Sequence, residues 1–259
     1  MRPTKNPSSE YLPVSTLDMA DKKLNLAVNG LGIVALVLFG WVLFQLAEEF
    51  RPDILPPTSF FLLGGPELLA LLAGLALVIV LHELIHGLFF WLYTGERFQL
   101  GIRPFYAFAA SPSWYIPRGQ FVIIGLAPLV IITGLGFALL WIVSLPVAAV
   151  VLVSMAVNAA GSAGDLFVIG WLFTKPAGHL VRDSGSLIIK YASAPEEIAP
   201  MARRWLGLTA HYNLDEEAAK RQFVQIVEVY NGDGRYYHNL GHIEATLDLI
   251  AELESLAED

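Results

Sequence analysis

Four long apolar runs, separated by short polar breaks, dominate the first two thirds of this 259-residue chain. They cover about residues 24–47, 66–93, 120–145 and 147–173. At 1.5 Å per residue in a helix, each is long enough for the roughly 30 Å hydrocarbon layer of a bilayer. Glu48, Glu49 and Arg51 end the first run, and Pro52, Pro56 and Pro57 predict a loop after it. Pro146 divides the third run from the fourth. Before the first run, residues 1–23 are polar, with Pro3, Pro7 and Pro13 among Ser and Thr, and are expected to be a disordered cytoplasmic lead. They lack the pattern of a cleaved signal peptide.

The periodicity changes in two places. Between the second and third runs, Phe98, Leu100 and Ile102 alternate with polar or small residues, and Ser111-Pro112-Ser113 makes a turn. This predicts a short β-hairpin or a re-entrant segment at the interface, the alternative being a plain aromatic-rich loop. After the fourth run, Asp183-Ser184-Gly185 is a turn and Leu187 to Ile189 is strand-like, with His179 and Asp183 expected at the surface. From residue 196 the period becomes helical. Phe223, Ile226, Val227 and Tyr230 form one apolar stripe, and Ile243, Leu247, Ile250 and Leu253 form another. The pattern as a whole predicts an all-α polytopic membrane protein of about four transmembrane helices, with a short β-hairpin or re-entrant segment. It divides into the lead 1–23, a transmembrane domain 24–192, and a small soluble helical domain 196–259.

Composition sharpens this division. The chain is 55% hydrophobic and 15% charged, against about 25% charged residues in soluble domains. Residues 1–195 are charge-balanced, so the whole net charge of −8 sits in 196–259. No basic patch suits nucleic acid. With no cysteine, disulfides and thiolate metal sites are excluded, and any metal must use His, Asp or Glu. Lys and Arg favour the lead, the 94–118 loop and the segment after the fourth run. An even number of spans with both termini cytoplasmic satisfies that bias.

The candidate chemistry lies inside the second run, at His82-Glu83-Leu84-Ile85-His86. Ionisable side chains at that depth are costly and mark functional sites. On a helix, His82 and His86 share a face and Glu83 lies beside it, which is the H-E-x-x-H zinc arrangement with a carboxylate placed as general base. The plainer reading is a buried His pair hydrogen-bonded between helices. A third ligand must come from elsewhere. Asp165, after the small-residue row Ala159 to Gly164 in the fourth run, is the best-placed oxygen donor at a matching depth. Asn158, about two turns earlier, is a candidate to orient substrate or a developing oxyanion.

HELIH in one span and Asn158-Ala159-Ala160-Gly161-Ser162-Ala163-Gly164-Asp165 in a later one resemble the zincin peptidase family of membrane proteins, related to site-2-type intramembrane zinc metalloproteases. The resemblance covers about residues 25–192. It implies Zn2+ held by His82, His86 and Asp165, catalysis by Glu83, and a substrate role for Asn158. Gly161-Ser162 stands where that wider group commonly has proline, and Leu166 follows Asp165 where glycine is usual. The implied function is hydrolysis of peptide bonds in or next to transmembrane segments of a membrane-protein substrate. The alternatives are a non-catalytic membrane scaffold with an idle motif, and a metal carrier or other membrane metalloenzyme. The tail, about 200–255, resembles the opening helices of HD-type phosphohydrolases through Arg235 to Ile243, but lacks the later His-Asp pair those enzymes need. Its role is expected to be a protein partner site or self-association, with His238 and His242 at best a weak metal site.

Overall fold

The computed structural model describes residues 1–52, 65–103, 106–174, 180–230 and 240–257. The Pro56-Pro57 loop, His179 and His238 lie outside them. Four helical segments are long and apolar enough to cross a membrane. They are α1 (Lys22–Phe50), α2 (Gly65–Thr94), α3 (Arg118–Leu140), and a final pair, α4 (Leu145–Gly161) and α5 (Ala163–Leu172), broken at Ser162. Asp21 caps α1, accepting from the Leu24 N–H at 2.9 Å. At its other end the Arg51 guanidinium donates to the Leu140 and Val143 carbonyls at 2.6 and 3.2 Å. That cation answers the carbonyls left over where α3 ends.

Packing among the helices is uneven. α1 lies on α4 and α5, whereas α2 lies on α3 and α4. Leu43, Ala47, Leu140, Ala148, Leu152 and Met155 form a core at the Arg51 end of the bundle. Small residues let the backbones close up. A Cβ on Gly74 would sit 2.6 Å from Val150, and one on Gly136 would sit 2.3 Å from Met155.

The other end of the bundle is where expectation and structure part. The chain is mostly helical but not all-α. The expected hairpin is present as β2 (Gln99–Arg103) paired antiparallel with β3 (Tyr106–Ala110). A four-stranded antiparallel sheet joins it, in the order β1-β6-β5-β4, from β1 (Tyr11–Asp18), β4 (Ile116–Pro117), β5 (Leu180–Asp183) and β6 (Leu187–Ser193). Residues 11–18 are therefore a strand and not a disordered lead. Pro13 lacks an N–H, but β1 is the edge strand and its register shifts between Pro13 and Ser15, where a missing donor costs least. The turn at Ser184-Gly185 joins β5 to β6, with Gly185 at φ +87°, a conformation glycine adopts freely.

Buried Leu17, Phe90, Ile116, Phe121, Val168, Leu172, Val181 and Ile188 weld this sheet to the ends of α2, α3 and α5. Lys190 of β6 is fully buried; its Nζ donates to the Trp171 carbonyl at 2.5 Å and lies over the Trp171 ring. A cation there complements the negative end of α5, as Asp165 in its first turn complements the positive end.

The acidic tail forms α6 (Ala199–His211), α7 (Glu216–Tyr230) and α8 (Leu240–Ala257) around Met201, Ala202, Phe223 and Leu247. It also contacts the sheet. The Glu217 carboxylate accepts from the hydroxyls of Tyr115 and Tyr191 and lies 3.4 Å from Arg182 Nη1. Burial, then that carboxylate, pushes both phenols up from their ordinary range.

Candidate metal centre

Every group of the H-E-x-x-H motif faces one cavity of about 300 Å³. His82 and His86 lie on one face of α2, buried at 8% and 7% exposure. Asp165 reaches them from the first turn of α5. His86 lies eight residues from the end of α2 and Asp165 seven from the end of α5, roughly 12 and 10 Å along their axes, so the depths match.

The tautomers follow from the partners. His86 Nδ1 is 2.9 Å from the Ile124 carbonyl, which can only accept, so Nδ1 carries the proton. The Asn158 amide donates through Nδ2 to the Pro128 carbonyl at 3.3 Å. That fixes its oxygen toward His82 Nδ1, 2.9 Å away, so His82 also donates through Nδ1. Both Nε2 atoms are then lone pairs. They lie 3.2 Å apart, with the Asp165 oxygens 3.2 Å from His82 Nε2 and 3.4 Å from His86 Nε2. Asp165 Oδ2 is buried without a hydrogen-bond donor. Three acceptors thus converge with no donor between them, an arrangement that calls for a cation.

The spacing selects the kind of cation. Tetrahedral zinc with Zn–N and Zn–O near 2.0–2.1 Å requires ligand atoms about 3.3–3.4 Å apart. The observed 3.2, 3.2 and 3.4 Å match. Among the described residues, this is the one group of three or more His, Asp or Glu able to hold a metal. The plainer reading of a hydrogen-bonded His pair leaves the two facing lone pairs unexplained.

Residues 75–180 match a family model described as "Putative zincin peptidase". The match spans HELIH and Asp165, so a metallopeptidase with zinc is the class this chain resembles. No curated protein and no solved structure matches the chain.

The structure gives several residues places that the sequence reading did not. Asn158, 2% exposed, has both amide atoms engaged, one on His82 and one on Pro128. It faces the cavity as the partner of His82. Pro128 went unremarked, although a proline within an apolar run is visible in the sequence. Having no N–H, it frees the carbonyl four residues earlier. That carbonyl is Ile124, the acceptor for His86. One proline thereby supplies acceptors to both histidine arms. Pro128→Ala restores a helical donor to Ile124 and competes with His86. It is expected to weaken zinc affinity about tenfold or more, read by chelator competition, with the helix content unchanged by circular dichroism.

Asp183, expected at the surface, instead lines the cavity from the β5–β6 turn. The Gly185 N–H donates to its Oδ1 at 2.7 Å. Burial raises its pKa to about 6, against that N–H, which favours the carboxylate. A carboxyl raised from its ordinary 3.8 adds stability below pH 3.8, and this is lost as pH rises through about 6. In the zinc-free protein, Asp183→Asn is therefore expected to raise the melting temperature at pH 7.5. The gain should shrink toward zero by pH 4 in parallel thermal scans.

Aromatic residues of the hairpin close over the motif. The ring of Phe98 lies against Gly87, where a Cβ would come within 2.2 Å, and Phe108 lies against both Gly101 and Gly185 at similar distances. The β3 backbone at Ala109 approaches the Glu83 carboxylate.

Proposed function

We propose that the protein is an intramembrane zinc metalloprotease that hydrolyses peptide bonds in or beside transmembrane segments of other membrane proteins. The observation that carries this is the convergence of two Nε2 lone pairs and the Asp165 carboxylate at zinc spacing, with Glu83 one residue from His82. His82, His86 and Asp165 would hold the ion, which when bound supplies Lewis acidity and a more acidic water. Glu83 takes a proton from the attacking water as its oxygen bonds to the scissile carbonyl carbon. It then delivers that proton to the nitrogen as the C–N bond breaks. Asn158 and Ile124 hold the imidazoles in the one tautomer that leaves both Nε2 atoms available. Asn158 is thus assigned to positioning His82, in place of the substrate contact first expected of it.

The lysine and arginine distribution supports a cytoplasmic placement of both termini and of the sheet. The ends of α2 and α5 nearest the site meet that sheet, so water would reach the cavity from the cytosol. The tail supports a protein partner or self-association, since it is acidic and is held to the sheet through Glu217. The test is substrate capture. The Glu83→Gln protein, expressed in cells and crosslinked, should retain membrane proteins that wild type releases as fragments, identified by mass spectrometry. Equal recovery from wild type and Glu83→Gln, with no fragments, would overturn the reading.

A further inference from the structure

The first helix carries polar residues that the catalytic scheme does not use. Asn25 and Asn29 lie four apart, on the face of α1 that lines the cavity beside His82, Glu83 and Asp165. Asn25 is buried, and its Nδ2 donates to the Met19 carbonyl at 3.3 Å. Asn29 Nδ2 donates to both the Asn25 carbonyl and Asn25 Oδ1, each at 2.8 Å. The Asn29 amide is therefore fixed by its nitrogen. Its oxygen receives no hydrogen bond among the described residues.

Asn29 is nevertheless exposed, some seven residues or roughly 10 Å into a membrane-length helix. A polar oxygen left open at that depth is costly unless a ligand uses it. Its position says which ligand. α1 and α2 each pack on α4 and scarcely touch one another, and the cavity lies between them. Asn29 on α1 and Ile79 on α2 both line it while remaining exposed. A transmembrane peptide entering there must unwind before its peptide bond can be attacked. Unwinding frees backbone N–H groups in a setting that offers little water.

Building on the proposed function, we propose that Asn29 is a substrate-positioning residue whose Oδ1 accepts a backbone N–H of the unwound peptide segment. Asn25 is its anchor, holding the amide nitrogen so that the oxygen faces the entering chain. The ligand class is an extended peptide backbone, recognised by its amide and independently of side-chain identity.

The test uses the full-length, zinc-loaded protein in nanodiscs and a peptidyl hydroxamate with apolar side chains, together with its analogues N-methylated at one amide at a time. Asn29→Leu is expected to weaken the parent hydroxamate about fivefold to tenfold, the worth of one such hydrogen bond. One N-methyl analogue should lose the same factor against wild type and nothing further against Asn29→Leu, the signature of a shared contact. Zinc stoichiometry and thermal unfolding of the variant should match wild type. If Asn29→Leu fails to fold, Asn29→Ala carries the same expectation, and the N-methyl series against wild type stands independently. Equal affinity in variant and wild type, or additive losses for every analogue, overturns the assignment of Asn29 alone. Absence of zinc, or no binding of the parent compound to zinc-loaded wild type, overturns the peptidase reading and this inference with it.

Discussion

Glu83→Gln is expected to lower peptide hydrolysis by about 10²–10⁴-fold, the usual worth of a positioned general base, while zinc remains bound at wild-type stoichiometry. The separation follows from the geometry. Glu83 is not one of the three converging ligands, so its removal leaves Nε2 of both histidines and the Asp165 carboxylate in place. Glutamine is close to isosteric and can still face the β3 backbone at Ala109. What it cannot do is take a proton. Elemental analysis and cleavage of a captured substrate, run on the same preparation, check both halves. Loss of zinc along with activity would make Glu83 a ligand. Full activity would show that Glu83 is not the base, whereas no hydrolysis by wild type or variant would favour the scaffold reading.

Asp165→Ala carries the second large effect. It removes the one ligand that comes from outside α2 and the only negative charge in the ligand set. Zinc affinity is expected to fall by more than about 100-fold, beyond the range seen when only an orienting partner is lost, and hydrolysis should vanish with it. Without a cation, both Nε2 atoms of α2 and the Asp165 carboxylate of α5 converge as acceptors at 3.2–3.4 Å, so the first turn of α5 should loosen from the histidines on chelation of the wild-type protein. Chelator treatment followed by zinc readdition should restore activity to wild type but not to Asp165→Ala. His242→Ala, in the tail, should leave zinc binding unchanged. Retention of stoichiometric zinc by Asp165→Ala would overturn the ligand assignment.

The parts that were legible in the sequence were those governed by one strong local signal. Span length and apolarity gave four membrane-length helices to within a few residues. The i, i+4 spacing of His82 and His86 is a helical property, and the matching depth of Asp165 is simple arithmetic along two helices. The 98–102 alternation marked the hairpin, while Asp183-Ser184-Gly185 marked the turn between β5 and β6. The four-stranded sheet was much less visible because its partners lie far apart in the chain. β1 pairs with β6 across some 170 residues, and Pro13 with its Ser and Thr neighbours reads locally as disorder.

The supporting roles were hidden for a different reason, although Asn158 itself stood out as a candidate. Asn158, Pro128 and the Ile124 carbonyl matter through hydrogen bonds between helices, which no single-helix pattern encodes. The carbonyl freed by Pro128 was also recoverable, since a proline inside a span removes the N–H that would bond it. What that carbonyl would receive needed the fold. Asp183 was misplaced because a turn next to a membrane span ordinarily faces solvent. Here the hairpin ring Phe108 packs on Gly185, and the turn is drawn over the cavity. Asn25 and Asn29 were readable as polar residues in an apolar helix, but only their shared cavity with HELIH gives them a purpose.

Zinc K-edge X-ray absorption on the purified full-length protein tests the central claim most directly. One zinc per chain is expected, with a first shell of nitrogen and oxygen at about 2.0–2.1 Å and the multiple scattering of two imidazoles, and Asp165→Ala should lose this signal. A protein without stoichiometric zinc, or a shell with no imidazole pair, would contradict it.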